Sequence, residues 1–94
     1  MLISINEARE TLRIDGNDND EIIDALVAAI PSYMETATGT DWNNTDEPHP
    51  LAQTTAKFIL QLWFDPQTQD SERLKRTIDN LLTSLTVIGH ETRL

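Results

Sequence analysis

Asp20-Glu21-Ile22-Ile23-Asp24-Ala25-Leu26-Val27-Ala28-Ala29-Ile30-Pro31-Ser32-Tyr33-Met34-Glu35-Thr36-Ala37-Thr38-Gly39 is the stretch whose reading decides this fold. Ile22, Ile23, Leu26, Val27, Ile30, Tyr33, Met34 and Ala37 recur at steps of one, three and four, which gathers them on one stripe of an α-helix. Glu21, Asp24, Ala28, Ser32, Glu35 and Thr36 fall mostly outside it. A long amphipathic helix is expected here, with an apolar side that needs a partner. Pro31 removes one backbone donor and crowds the carbonyl four residues back, so a kink or break is expected near residues 27–30. Gly39 suits a left-handed helix end.

On the N-terminal side, Ser4-Ile5-Asn6-Glu7 reads as a capping box, and Ile5, Ala8 and Leu12 line one face of a helix of two to three turns. A helix that short is marginal alone and must dock on the long one. Residues 13–20 break the pattern with Gly16 and a run of Asp and Asn, all of which tolerate turns and cap helices. Asp15, Asn17 and Asn19 stand at alternate positions as in a calcium loop. The sixth position is Asp20 where Gly is needed, and the twelfth is Leu26 where a bidentate Glu is needed. The carboxylates are better read as partners of the dipole at the start of the long helix.

On the C-terminal side, residues 40–50 are polar and proline-punctuated and are read as a loop. Trp42 in that loop either folds back over the core or anchors a partner. Pro50 suits the first position of a third helix, apolar nearly all round towards Trp63 and Phe64. Such a helix is either central to the core or partly covered by another chain. Asp65-Pro66 ends it. Asp70 or Ser71 can cap a fourth helix, with a stripe of Leu74, Ile78, Leu81, Leu82 and Leu85. Glu72 with Arg76, and Lys75 with Asp79, are expected to pair on its wet side. From about residue 86 helical periodicity fades, and Val87 and Ile88 have some β character. The tail is expected to be disordered or to extend onto a neighbouring subunit.

The fold class is thus all-α, a small bundle of about four helices in a single domain spanning 1–94. A chain of 94 residues buries roughly 60 to 65% of its unfolded surface, so association would add usefully to stability. With no cysteine, disulfides, thiol catalysis and thiolate metal sites are excluded. No leader is read at Met1-Leu2-Ile3-Ser4, and no run approaches the roughly 20 apolar residues of a membrane span, so an intracellular soluble protein is expected.

Net charge is −9, carried by residues 15–47, which hold nine carboxylates and no Lys or Arg; residues 71–94 are slightly basic. Such a surface repels phosphate backbones, which argues against sequence-specific nucleic-acid binding. His49 and His90 lie apart without ligand-spaced carboxylates, and the three glycines are scattered. No catalytic, cofactor or metal site is expected, and no enzymatic activity.

The order of features, namely the capped helix from Ser4-Ile5-Asn6-Glu7-Ala8-Arg9 to Leu12-Arg13-Ile14-Asp15, an acidic turn, Ile22-Ile23-Asp24-Ala25-Leu26 to Tyr33, Thr38-Gly39, then Pro50 to Trp63-Phe64 and a Leu81-Leu82 helix, resembles the small head-tail connector family of tailed double-stranded DNA bacteriophages and prophages. The likeness covers nearly the whole chain. Pro31 departs from it, as does the missing proline around residues 69–72.

The resemblance implies a head-completion adaptor. Copies form a homo-oligomeric ring beneath the portal protein, facing a further connector or tail protein, in the host cytoplasm during assembly and then in the virion neck. Candidate contact residues are Trp42, Trp63, Phe64, Arg73 and Arg76. Acidic flank against basic flank suits head-to-tail contacts around a ring, and surplus acid suits a channel through which DNA slides without sticking. One competing reading is a small acidic regulatory or DNA-mimic protein that binds a basic partner. Another is a compact helical enzyme, which needs a pocket with converging polar groups.

Overall fold

The computed structural model describes residues 2–43, 49–67 and 69–92, with only the backbone given at 91 and 92. Residues 44–48 of the expected loop and residues 93–94 of the expected tail lie outside the described residues. Four helices follow in order: α1 (Ile5–Leu12), α2 (Asp20–Thr38), α3 (Pro50–Phe64) and α4 (Ser71–Thr92). No strand occurs among the described residues, and the chain is an all-α bundle.

Each helix start has a local cause. At α1 the Glu7 amide donates to Ser4 Oγ and the Ser4 amide donates to Glu7 Oε1, both at 3.1 Å, which completes the capping box. This backbone donor holds the Glu7 carboxyl below its ordinary pKa. Arg13 ends α1 in the left-handed region (φ 57°), and its amide reaches the Arg9 and Glu10 carbonyls. At α3 the Leu51 amide donates to His49 Nδ1 at 3.1 Å, with Pro50 in the first turn. His49 is thus a helix cap. Gly39 closes α2 with φ 79°.

The core is narrower than the apolar pattern of α2 suggests. Ile23, Ile30, Met34 and Thr38 are buried, at steps of seven, four and four, while Leu26 and Val27 pack beside them. Ile22 is 58% exposed and Tyr33 42%, so they leave the expected stripe. The expected break at Pro31 does not occur, and α2 runs unbroken through it. Packing of Ile30 and Met34 on either side of Pro31 holds the helical path where one backbone bond is missing.

α3 is the hub. Ala52, Thr55, Ala56, Ile59 and Leu60 are buried, and α3 packs against α1, α2 and α4. Buried Thr55 satisfies its hydroxyl within the helix, donating to the Leu51 carbonyl at 2.7 Å. No α-carbon of α1 comes within 8 Å of one in α4 among the described residues. The molecule measures 44 × 30 × 18 Å, about two helix layers at its thinnest.

The tail departs from expectation. α4 continues as helix through Thr86, Val87, Ile88 and Gly89 to Thr92. Leu85 and Gly89 are buried, and Ile88 packs on the core. A methyl group added to Gly89 would collide with the Thr40 hydroxyl and lie 3.0 Å from Thr40 Cβ and 3.3 Å from Trp42. The absent side chain therefore lets α4 lie against the segment that follows α2, and that contact sustains the helix.

Candidate functional site

Of the five residues singled out for contacts, Trp42 is withdrawn from the surface: it is 8% exposed and belongs to the core. Its indole Nε1 donates to Thr38 Oγ1 at 2.8 Å, and that hydroxyl in turn donates to the Met34 carbonyl at 2.7 Å. The His49 ring meets the indole edge-on, with centroids 6.0 Å apart. A buried tryptophan needs a partner for its N–H, and the end of α2 supplies one. Trp42 closes the fold and is corrected as an anchor for another molecule.

Trp63 is half-buried, its ring edge-on to Tyr33 of α2 at 5.2 Å. It borders a small recess of about 220 Å³ with Lys75 and Asp79. Most of its surface is committed to the α2–α3–α4 junction.

Phe64 and Arg73 come together. They line a cleft of about 620 Å³ where α1, the end of α3 and the start of α4 meet. Leu12, Phe58, Phe64 and Leu74 give it apolar walls, and Arg13, Arg73, Asp65 and Asp70 line its polar parts. The cleft exists because the backbones of α1 and α4 stand apart. Arg76 lies one turn beyond Arg73 on the exposed side of α4, outside this cleft. The pairings expected for α4 also change: Lys75 pairs with Glu72, at 3.5 Å, rather than with Asp79. Arg73 and Arg76 join no ion pair among the described residues.

A second cleft was not anticipated from the sequence. Its volume is about 420 Å³, and it lies along α2, beneath the extended start of the chain. Buried Leu2 and Ile3, with Val27 and Pro31, form its apolar part, while exposed Asp24, Glu35 and Asp41 carry its charge. Among the described residues no Lys or Arg lines it. Its rim is braced by two hydrogen bonds: the Leu2 amide donates to Asn43 Oδ1 at 2.8 Å, and the Asn43 amide to Asp41 Oδ1 at 3.0 Å. The signal for this cleft was present in the basic-free run from 14 to 56, but the approach of residues 2–3 to residues 41–43 is tertiary and left no periodic trace.

The strongest ion pair is structural. Arg9 of α1 forks onto Asp20 at the start of α2: Nε donates to Oδ1 at 2.9 Å, and Nη2 donates to Oδ2. Nη1 donates to Asn6 Oδ1 at 2.9 Å. The guanidinium holds the Asp20 carboxyl below the ordinary carboxylate range, and the carboxylate raises Arg9. Asp20 also sits in the first turn of α2, where negative charge is favoured.

Among the described residues no group of His, Asp and Glu is placed to hold a metal ion, and no helix is long and apolar enough to cross a membrane. No known protein-family model, curated protein or solved structure matches this chain.

Proposed function

We propose that this chain is a structural adaptor of tailed-phage head completion, copies of which dock side by side as a ring between the portal and the next connector or tail protein. The observation that carries the reading is the separation of charge onto different faces. Among the described residues the α2 cleft is anionic and free of Lys and Arg, whereas Arg73 and Arg76 on α4 carry positive charge and join no ion pair. Complementary patches on different parts of one surface favour heterologous contacts, which close into rings when the rotation permits. The thin bundle also leaves Ile22, Tyr33 and Val87 substantially exposed, apolar surface that neighbouring copies can cover.

The test is to mix the purified protein with portal particles of the same phage or prophage and image the product. A ring of density on the portal that weakens as salt rises is the expected result. A protein that ignores portal particles, and instead binds a basic regulatory protein one to one, points to the acidic regulatory reading and overturns the adaptor.

A further inference from the structure

We infer that the α2 cleft is the receptor half of a contact between copies, and that the Arg73–Arg76 turn of a neighbouring copy's α4 is the knob that enters it. The inference deepens the ring reading and rests on it. Three features of the cleft fix the chemistry of what it takes.

First, it is anionic, and among the described residues no Lys or Arg lines it. Asp24, Glu35 and Asp41 are exposed. Second, half-buried Val27 and Pro31 give it an apolar wall, backed by fully buried Leu2 and Ile3 and held by the bond from the Leu2 amide to Asn43. A cationic side chain with a long aliphatic stem satisfies both parts at once, the stem on the apolar wall and the head among carboxylates. Third, Pro31 has no amide to give to the Val27 carbonyl, and both residues line the cleft. The Val27 carbonyl thereby lacks its usual helical donor, and guanidinium, with five N–H donors in a planar fork, suits a cleft rich in acceptors.

The same chain carries the matching half. Arg73 and Arg76 are three residues apart on a helix, so they share a face, and both are exposed and free of ion pairs among the described residues. Asp24 and Glu35 stand about 16 Å apart along α2, and Arg73 and Arg76 occupy a single turn. The two arginines therefore enter between the carboxylates as a knob, rather than lie along the groove. Because donor and receptor are different surfaces, each copy can use both, and the contact propagates from copy to copy.

The test uses two doubly reversed full-length chains, Asp24→Arg with Glu35→Arg, and Arg73→Glu with Arg76→Glu. All four positions are exposed, and circular dichroism melts check that both variants fold. Wild-type protein at low salt is expected to self-associate in sedimentation or concentration-dependent NMR shifts, and each variant alone is expected to lose this by roughly 100-fold or more. Mixed in equal amounts, the variants bring together an intact knob with an intact receptor and a reversed knob with a reversed receptor, so the mixture is expected to self-associate where each variant alone does not.

Self-association of either folded variant at wild-type strength overturns the inference, as does an inert mixture or a wild type that shows no concentration dependence. Variants that still ring the portal as wild type does also overturn it while the adaptor reading stands. The expected pattern from a protein that ignores portals leaves the contact standing and removes the adaptor. Loss of portal binding with unchanged self-association assigns the cleft to a cationic segment of the portal and overturns a second copy as occupant.

Discussion

α2 and α4 are the two long helices, both lie against α3, and both bury a stripe of large aliphatic side chains. Their outward faces differ. α2 carries Asp20, Glu21, Asp24 and Glu35 with no base, and among the described residues only Asp20 finds an internal counter-charge, in Arg9 of α1. α4 interleaves Glu72, Arg73, Lys75, Arg76 and Asp79 within eight positions, yet it forms a single ion pair among the described residues. Burial alone would produce two interchangeable helices. The difference shows that the inward faces answer to the core, while the outward faces are free to answer to something outside the chain.

The comparison breaks most visibly if one inward face proves dispensable. Ile30→Ala in α2 and Leu85→Ala in α4 remove fully buried side chains, and each is expected to cost about 2–5 kcal/mol in urea unfolding. A cost below 1 kcal/mol at Leu85 would mean that the end of α4 does not share the core. Next in size, Gly89→Val forces atoms into the contact with Thr40 and Trp42 and is expected to destabilise by about 1–3 kcal/mol, although valine is the better helix former. Unchanged stability would show that α4 stands off from that segment.

A smaller effect of opposite sign is expected at Pro31. Pro31→Ala restores an amide opposite the Val27 carbonyl inside a continuous helix, and it is expected to stabilise by about 1 kcal/mol while weakening contact between copies. A gain in both stability and association would separate the proline from the cleft.

The smallest effect is electrostatic. Asp20 is held below the ordinary carboxylate pKa in the folded chain, so its contribution is fully present above the unfolded value and fades as pH falls through the depressed folded value. An acid titration of stability is expected to flatten in that window in Arg9→Gln. An identical acid profile in the variant would remove the fork from the accounting.

Local chemistry was legible wherever a few adjacent residues decide the outcome. Ser4 with Glu7, Gly39 and Pro50 each do in the structure what their positions in the sequence imply. The misreadings are tertiary. Val87, Ile88 and Gly89 look poor for a helix in isolation, but Gly89 is small where α4 crosses Thr40 and Trp42, and that closeness cannot be read along the chain. Ile22 fits the apolar spacing of α2 as well as Ile23 does, but only Ile23 is covered, because α3 and the other elements subtend a narrower arc than the periodicity allows.

Within the candidate surfaces, Phe64 and Arg73 do share a cleft. Trp42 was a fork between core and contact, and the nearness of the Thr38 hydroxyl settled it in favour of the core. The Arg9–Asp20 fork was missed because each partner already had a satisfactory local explanation, one as part of a capped helix and the other as a dipole partner.

The place of α3 also bears on how the chain comes off the ribosome. Ile23, Ile30 and Met34 are made before the helix that covers them, so the first half emerges with an apolar stripe and no lid until Ile59 and Leu60 arrive. A fragment ending before Pro50 should therefore be a substrate for chaperones rather than a folded half, and synthesis must run through Leu60 before docking can begin.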